Sequence, residues 1–198
     1  MALWLGLHFL IGFPLGLLLS NAFEWAMHKH VLHELGTKKG NFWNFHWYDH
    51  HSEARRNDMY DPSYEGSWIT AGWNARSKEG VMLLAAALVW IPFLWVIPGF
   101  ASAAIFSTGA YYYRHRKAHL DTEWARKHLP WHVDHHLGVN QDANWCVTFP
   151  WWDIIRGTRE VYVGTERDRA DREKRATRAA RHESRAVALA LTKAPSQG

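Results

Sequence analysis

Thiol chemistry is almost missing from this sequence. Cys146 is the single cysteine of 198 residues, which excludes an intrachain disulfide and any CxxC metal or redox motif. Charge is missing in two places. No Asp, Glu, Lys or Arg falls between Met1 and Phe23, and none between Val81 and Tyr113. A charge at a helix centre in a bilayer costs about 2.5 to 3.5 kcal/mol, so two such gaps point to lipid. The first also lacks a basic n-region and an A-x-A site, which argues against a cleaved signal peptide and for an uncleaved span. The second is too long for one crossing, since about 20 helical residues cover the hydrocarbon. Pro98-Gly99 inside it is a turn signal. A helical hairpin is therefore expected, with limbs near 81–97 and 100–120, the second short in its uncharged part. A hairpin buried in a soluble core is the weaker alternative.

Basic residues are unevenly placed as well. Of the 23, seven lie between Lys29 and Lys78, sixteen lie from Arg114 onward, and none precedes Lys29. The positive-inside rule then puts segment 29–80 and everything after 113 in the cytoplasm. Three spans with the N-terminus outside satisfy this. Trp4, Trp25, Trp90 and Trp95 fall near expected span ends, where indole favours the interface.

Histidine, with 14 copies, is abundant, and the ten that stand in four clusters all lie on the same expected side. His28 and His33 stand in HKHVLH, His46, His50 and His51 in FHWYDHH, His115 and His119 in HRKAH, and His132, His135 and His136 in WHVDHH. Residues three and four apart share a helix face, so the members of a cluster can point at one place. One HxxxH is weak evidence, because surface helices contain such pairs by chance. Several clusters in one small chain are strong evidence. Neutral imidazole suits iron and zinc, and ten rings exceed one tetrahedral site, so the count asks for two metals.

These four boxes, with the closing NWCVTFPWWDIIRGT, resemble the fatty acid hydroxylase (sterol desaturase) superfamily of membrane di-iron enzymes over about Asn21 to Thr158. The resemblance implies an all-α integral membrane protein of about three transmembrane helices with a cytoplasmic helical cap. It also implies two iron ions held by the ten histidines, with zinc an option in purified material, and O2 as co-substrate. Residues 1–160 would be the membrane di-iron hydroxylase domain, and 161–198 a charged cytoplasmic C-terminal helix and tail. The second box departs from the pattern: family members show HxxHH, whereas His46, His50 and His51 give HxxxHH, a spacing similar to that of membrane alkane monooxygenases. In the first box the resemblance selects His28 with His33. At about 100° per residue, α-helical geometry favours His30 with His33 instead, about 60° apart against about 140°.

Ligand rings usually give their second N–H to a carboxylate or carbonyl. Glu24, Asp49, Asp121 and Asp134, each beside a box, are the candidates, with a capping or surface role the alternative for each. His8 and His182 are expected to bind nothing, and His128 to be at most a supporting residue. Pro150 to Arg156 reads as a short helix ended by Gly157. ERDRADREKRATRAARHESR reads as a solvated helix, and the final TKAPSQG as a frayed end.

Hydroxylation of a fatty acyl or sphingolipid chain is the expected reaction, with carotenoid or sterol hydroxylation or desaturation next. A His-rich membrane transporter is the competing class, and it would place ionisable residues within the spans. A structural zinc protein needs fewer ligands. No haem, flavin or iron–sulfur motif is present, so a membrane lipid substrate and a separate electron donor of ferredoxin or cytochrome type are the expected partners. No nucleic acid is expected.

Overall fold

The computed structural model describes residues 2–67, 69 and 72–193, and every regular element among them is helical. Helix α1 runs over Leu3–Leu35, with π-helical windings at His8–Gly12 and Met27–Leu35. A π-helical turn, His46–His51, continues into Ser52–Arg56 to make α2. Then come α3 (Ala75–Trp90), α4 (Pro98–Leu120), α5 (Thr122–His128), α6 (Pro130–Leu137), α7 (Trp151–Arg156) and α8 (Glu166–Lys193).

Two helices, Leu3–Leu35 and Ala75–Trp95, are long and apolar enough to cross a membrane. In the most apolar window of the first, only 6% is buried inside the protein. A helix apolar on its outer faces is suited to lipid contact. α4, the third expected span, is 23 residues long but is not among these two. It packs along both α1 and α3.

The hairpin turn is displaced from its expected position. The chain reverses through Ile91–Ile97, with a 3-10 turn at Pro92–Trp95, and Pro98 is the first residue of α4. Proline is pre-organised for that position, where its missing N–H has no helical partner to lose. Gly99 serves packing instead: a Cβ there would lie 1.9 Å from the carbonyl oxygen of His8. One on Gly16 would lie 2.8 Å from Ala103 Cβ and 2.9 Å from Phe100 O. Gly12 and Gly16 thus meet Gly99 and Ala103, the small-xxx-small device that lets helix backbones approach in lipid. Gly16→Leu should lower resistance to SDS unfolding by about 1 to 3 kcal/mol through overpacking. Gly6→Leu, with nothing within 4 Å of its Cβ, should be silent, and equal effects would refute the contact's role.

The cap is built on Met59, Ala118, Ala125, Leu129, Val133, Leu137 and Tyr162, all buried. Asp121 caps α5 through the Trp124 amide at 3.0 Å. The first turns of α8 dock by ion pairs: Asp168 and Asp58 flank the Arg126 guanidinium at 2.9 and 3.1 Å, and Arg172 meets Glu123 at 3.1 Å. Tyr162 places the chain just after residue 160 inside this core. Residues 194–198, within the expected frayed end, lie outside the described residues.

Candidate metal centre

All ten histidines of the four boxes converge, and none is more than 3% exposed. α1 supplies His28 and His33, α2 supplies His46, His50 and His51, α4 supplies His115 and His119, and α6 supplies His132, His135 and His136. Nine fall into two groups whose ligand atoms lie within 4.8 Å of one another. One holds His28, His33, His46, His51 and His135, the other His50, His115, His119 and His136. His132 adjoins the second, its Nε2 3.1 Å from that of His119.

Two sequence anomalies resolve together. The i→i+5 bonding of a π-helix brings residues five apart onto one face. Met27–Leu35 and His46–His51 are both wound this way, and His28/His33 and His46/His51 are both five-residue pairs. All four enter the same group. The extra residue in HxxxHH is thus taken up by the winding, and His50 is left to the second group. His30 is exposed and bonds Glu34 at 2.9 Å, outside the cage.

The rings meet through unprotonated nitrogens. A carbonyl oxygen only accepts, so a ring nitrogen bonded to one carries the proton. Nδ1 of His28 donates to Trp145 O at 2.5 Å, that of His119 to Met59 O at 2.7 Å, and that of His135 to Ala143 O at 2.7 Å. His50 Nδ1 donates to Asp61 at 2.9 Å, His115 Nδ1 to Glu79 at 3.0 Å, and His51 Nδ1 to the Gln141 side-chain oxygen at 3.1 Å. In a neutral imidazole the other nitrogen is then a bare lone pair. Two of these face each other, with Nε2 of His51 3.1 Å from that of His135. Among the described residues, Nε2 of His50, of His115 and of His136 has no hydrogen-bond partner although buried. Facing lone pairs repel, and buried polar atoms without partners are expensive. A cation shared between them removes both penalties, so the donor set fits metal ions.

Burial, and next the neighbouring rings, push the imidazolium pKa of His46, His51, His132 and His136 well below its ordinary value. His135 shifts the same way for the same causes, despite its bond to Ala143. The rings are therefore held in their ligating form. Burial raises the Asp61 carboxyl, but its bond to His50 and those with Ser63 outweigh this and keep it below the usual range.

Backbone conformation aims the carbonyls. Met59 (φ 80°) and Asn144 (φ 59°) occupy the left-handed region, unusual for residues with a side chain. The first presents its own carbonyl to His119, and the second separates the two carbonyls that hold His135 and His28. The loop after Asn144 is pinned from two sides. Asp153 of α7 accepts from the amides of Trp145 and Cys146 at 2.9 and 2.8 Å, and Glu24 of α1 accepts from the amides of Val147 and Thr148. α7 ends as expected at Gly157, with φ 67°.

Of the four carboxylates expected beside the rings, three have other partners and the fourth faces outward. Glu24 holds the 147–148 loop, Asp121 pairs with Lys117 at 2.7 Å, and Asp49 is exposed. Asp134 accepts from the amides of Tyr162 and Val163 and pairs with Arg159. Sequence adjacency failed because the residues flanking a ligand on a helix point away from it. Asp61, Glu79 and Gln141 take the ring-holding places instead. Of these, Glu79 carried a signal, as an acidic residue at the threshold of an uncharged run.

His8 lies against Trp4, and His128 against Trp124 rather than against the cage. The side chain of His182 lies outside the described residues. Residues 13–158 match the family model described as fatty acid hydroxylase. No curated protein and no solved structure matches the chain.

Proposed function

The chain belongs to the fatty acid hydroxylase (sterol desaturase) superfamily, and on that premise we propose that it is an O2-dependent di-iron oxygenase that hydroxylates a long lipid chain, fatty acyl or sphingolipid. The observation that carries this reading is the pair of enclosed nitrogen groups, one of five rings and one of four.

His28, His33, His46, His51 and His135 would hold one iron, and His50, His115, His119 and His136 the other, with His132 beside the second. Bound iron supplies the means to activate O2 against an unactivated C–H bond. Everything else falls to the chain. The Nδ1 bonds of His28, His50, His51, His115, His119 and His135 fix these six rings so that their lone pairs need no reorganisation when metal arrives. Asp61 and Glu79 place two carboxylates against His50 and His115, offsetting part of the positive charge of the second metal. Complete burial of the ten rings keeps bulk water from the centre. The lipid-facing surfaces of α1 and α3 give a hydrocarbon a route in the membrane plane. The one-sided Lys and Arg distribution supports placing the cage and α8 in the cytoplasm, where an electron donor can reach them.

Protein purified without oxygen and supplied with Fe(II) should hold about two irons per chain, as imidazole-rich sites favour such metals. With a reduced donor and labelled O2, one labelled oxygen atom should appear in the lipid chain. Turnover with O2 excluded, or metal movement across sealed vesicles, would make the oxygenase reading wrong.

A further inference from the structure

We infer that Trp47 is the residue through which electrons enter the metal centre; the inference rests on the oxygenase reading and adds the route of reduction to it. Hydroxylation takes a lipid C–H, O2, two electrons and two protons to the alcohol and water. The two electrons must come one at a time from a carrier protein, since the sequence holds no haem, flavin or iron–sulfur motif and its one cysteine is buried. That carrier cannot touch rings that are 3% exposed or less. Electron transfer weakens steeply with distance and favours a polarisable bridge.

Among the described residues, five non-histidine rings touch the ten histidines: Phe45, Trp47, Tyr64, Tyr111 and Trp145. Phe45, Tyr64 and Trp145 are buried. Tyr111 reaches the surface on α4, the helix packed between the two apolar ones. Trp47 is partly exposed on α2, beside His33 in the charged, π-wound end of α1 rather than along its apolar run. Its indole stacks on His51, centroids 5.4 Å apart and 25° between planes, and meets the edge of His33 at 5.1 Å. Both rings belong to the five-histidine group, their Nε2 atoms 3.1 Å apart. Trp47 therefore spans from solvent to two rings of one site.

Its surroundings suit a docking partner. Tyr48 is 42% exposed, and its hydroxyl donates to Thr37 O at 2.9 Å, which lays it against the loop carrying exposed Lys38 and Lys39. In each transfer the carrier is oxidised by one electron, which passes by way of Trp47 and His51 or His33 and reduces one metal by one. No bond forms or breaks.

The test is stopped-flow mixing of oxidised, iron-loaded protein with a reduced plant-type ferredoxin and, in parallel, a reduced soluble b-type cytochrome, reading donor oxidation rather than product. Trp47→Leu should slow the better donor by about an order of magnitude while iron content stays that of the parent. Trp47→Phe, which keeps a ring and most of the packing, should fall between. Parent-rate transfer in an iron-replete Trp47→Leu protein would overturn the inference and leave the oxygenase reading intact. A parent protein that holds no iron or accepts electrons from neither donor would overturn both. Metal-free protein gives an independent check. A photo-crosslinking benzoylphenylalanine replacing Tyr48 should capture the donor, and one replacing Tyr113 should not. Capture only at Tyr113, or at neither, would again count against Trp47.

Discussion

His28→Ala should reduce the iron content from about two per chain to about one and abolish turnover, whereas His30→Ala should leave both unchanged. Loss of a residue that merely supports a ligand lowers metal affinity about 10- to 100-fold, and loss of a ligand itself should do more. His28 contacts three members of its group: its Nε2 lies 2.9 Å from that of His46, and its ring centroid is 5.1 Å from that of His33 and 4.4 Å from that of His135. Removing it also leaves the carbonyl of Trp145 without its donor. His30 faces outward onto Glu34 and the edge of Trp25, so its loss removes only a surface contact. Metal analysis of the two purified variants decides the matter. Iron lost with His30 and retained without His28 would shift the first ligand and would contradict the π-helical pairing.

Acid should release the metals and destabilise the cap in one transition. His46, His51, His132, His135 and His136 bind protons far less readily in the folded protein than at the ordinary imidazole value of 6.5, and His50 less readily too, in each case chiefly through burial. The unfolded chain therefore binds more protons than the folded one below that value. Stability is fully present above it and is lost as pH falls. A ring that stays unprotonated in the folded protein contributes at most about 1.4 kcal/mol per pH unit below the ordinary value. Protons also compete directly with metal for the same lone pairs. Dialysis at a series of pH values, followed by metal analysis and helicity, should show both signals falling together between about pH 6.5 and 5. Full metal retention at the acid end would mean that the rings are not the ligands.

The ten cage histidines were legible because helical spacing and one-sidedness survive folding: a cluster on one helix stays a cluster. The choice within HKHVLH was not legible from geometry, since the α-helical angle was the wrong ruler for a π-wound segment. The resemblance reached His28 by a different road. The carboxylates that hold the rings were missed for a related reason. Asp61 lies 11 residues from His50, and Glu79 lies 36 residues from His115 and on another helix, so no local rule connects them. Pro98-Gly99 was recognised as special and assigned to the wrong task. The pair opens a helix and lets it close on α1, and a turn and a tight helix crossing ask for the same small residue.

The π-helical windings make ligand position a matter of chain length as well as residue identity. A substitution can remove a ring from the cage but cannot re-aim the rings that remain, because each five-residue interval is fixed by the number of residues in the winding. Deleting one of residues 29–32 would let the segment relax to ordinary α-helix, with His28 and His33 brought to four apart and everything on the far side rotated relative to α1. Tolerance in these two segments should therefore be lopsided. Their outward positions can drift freely in sequence, while a gap of even one residue in an alignment through them would mark a protein whose metals are held differently.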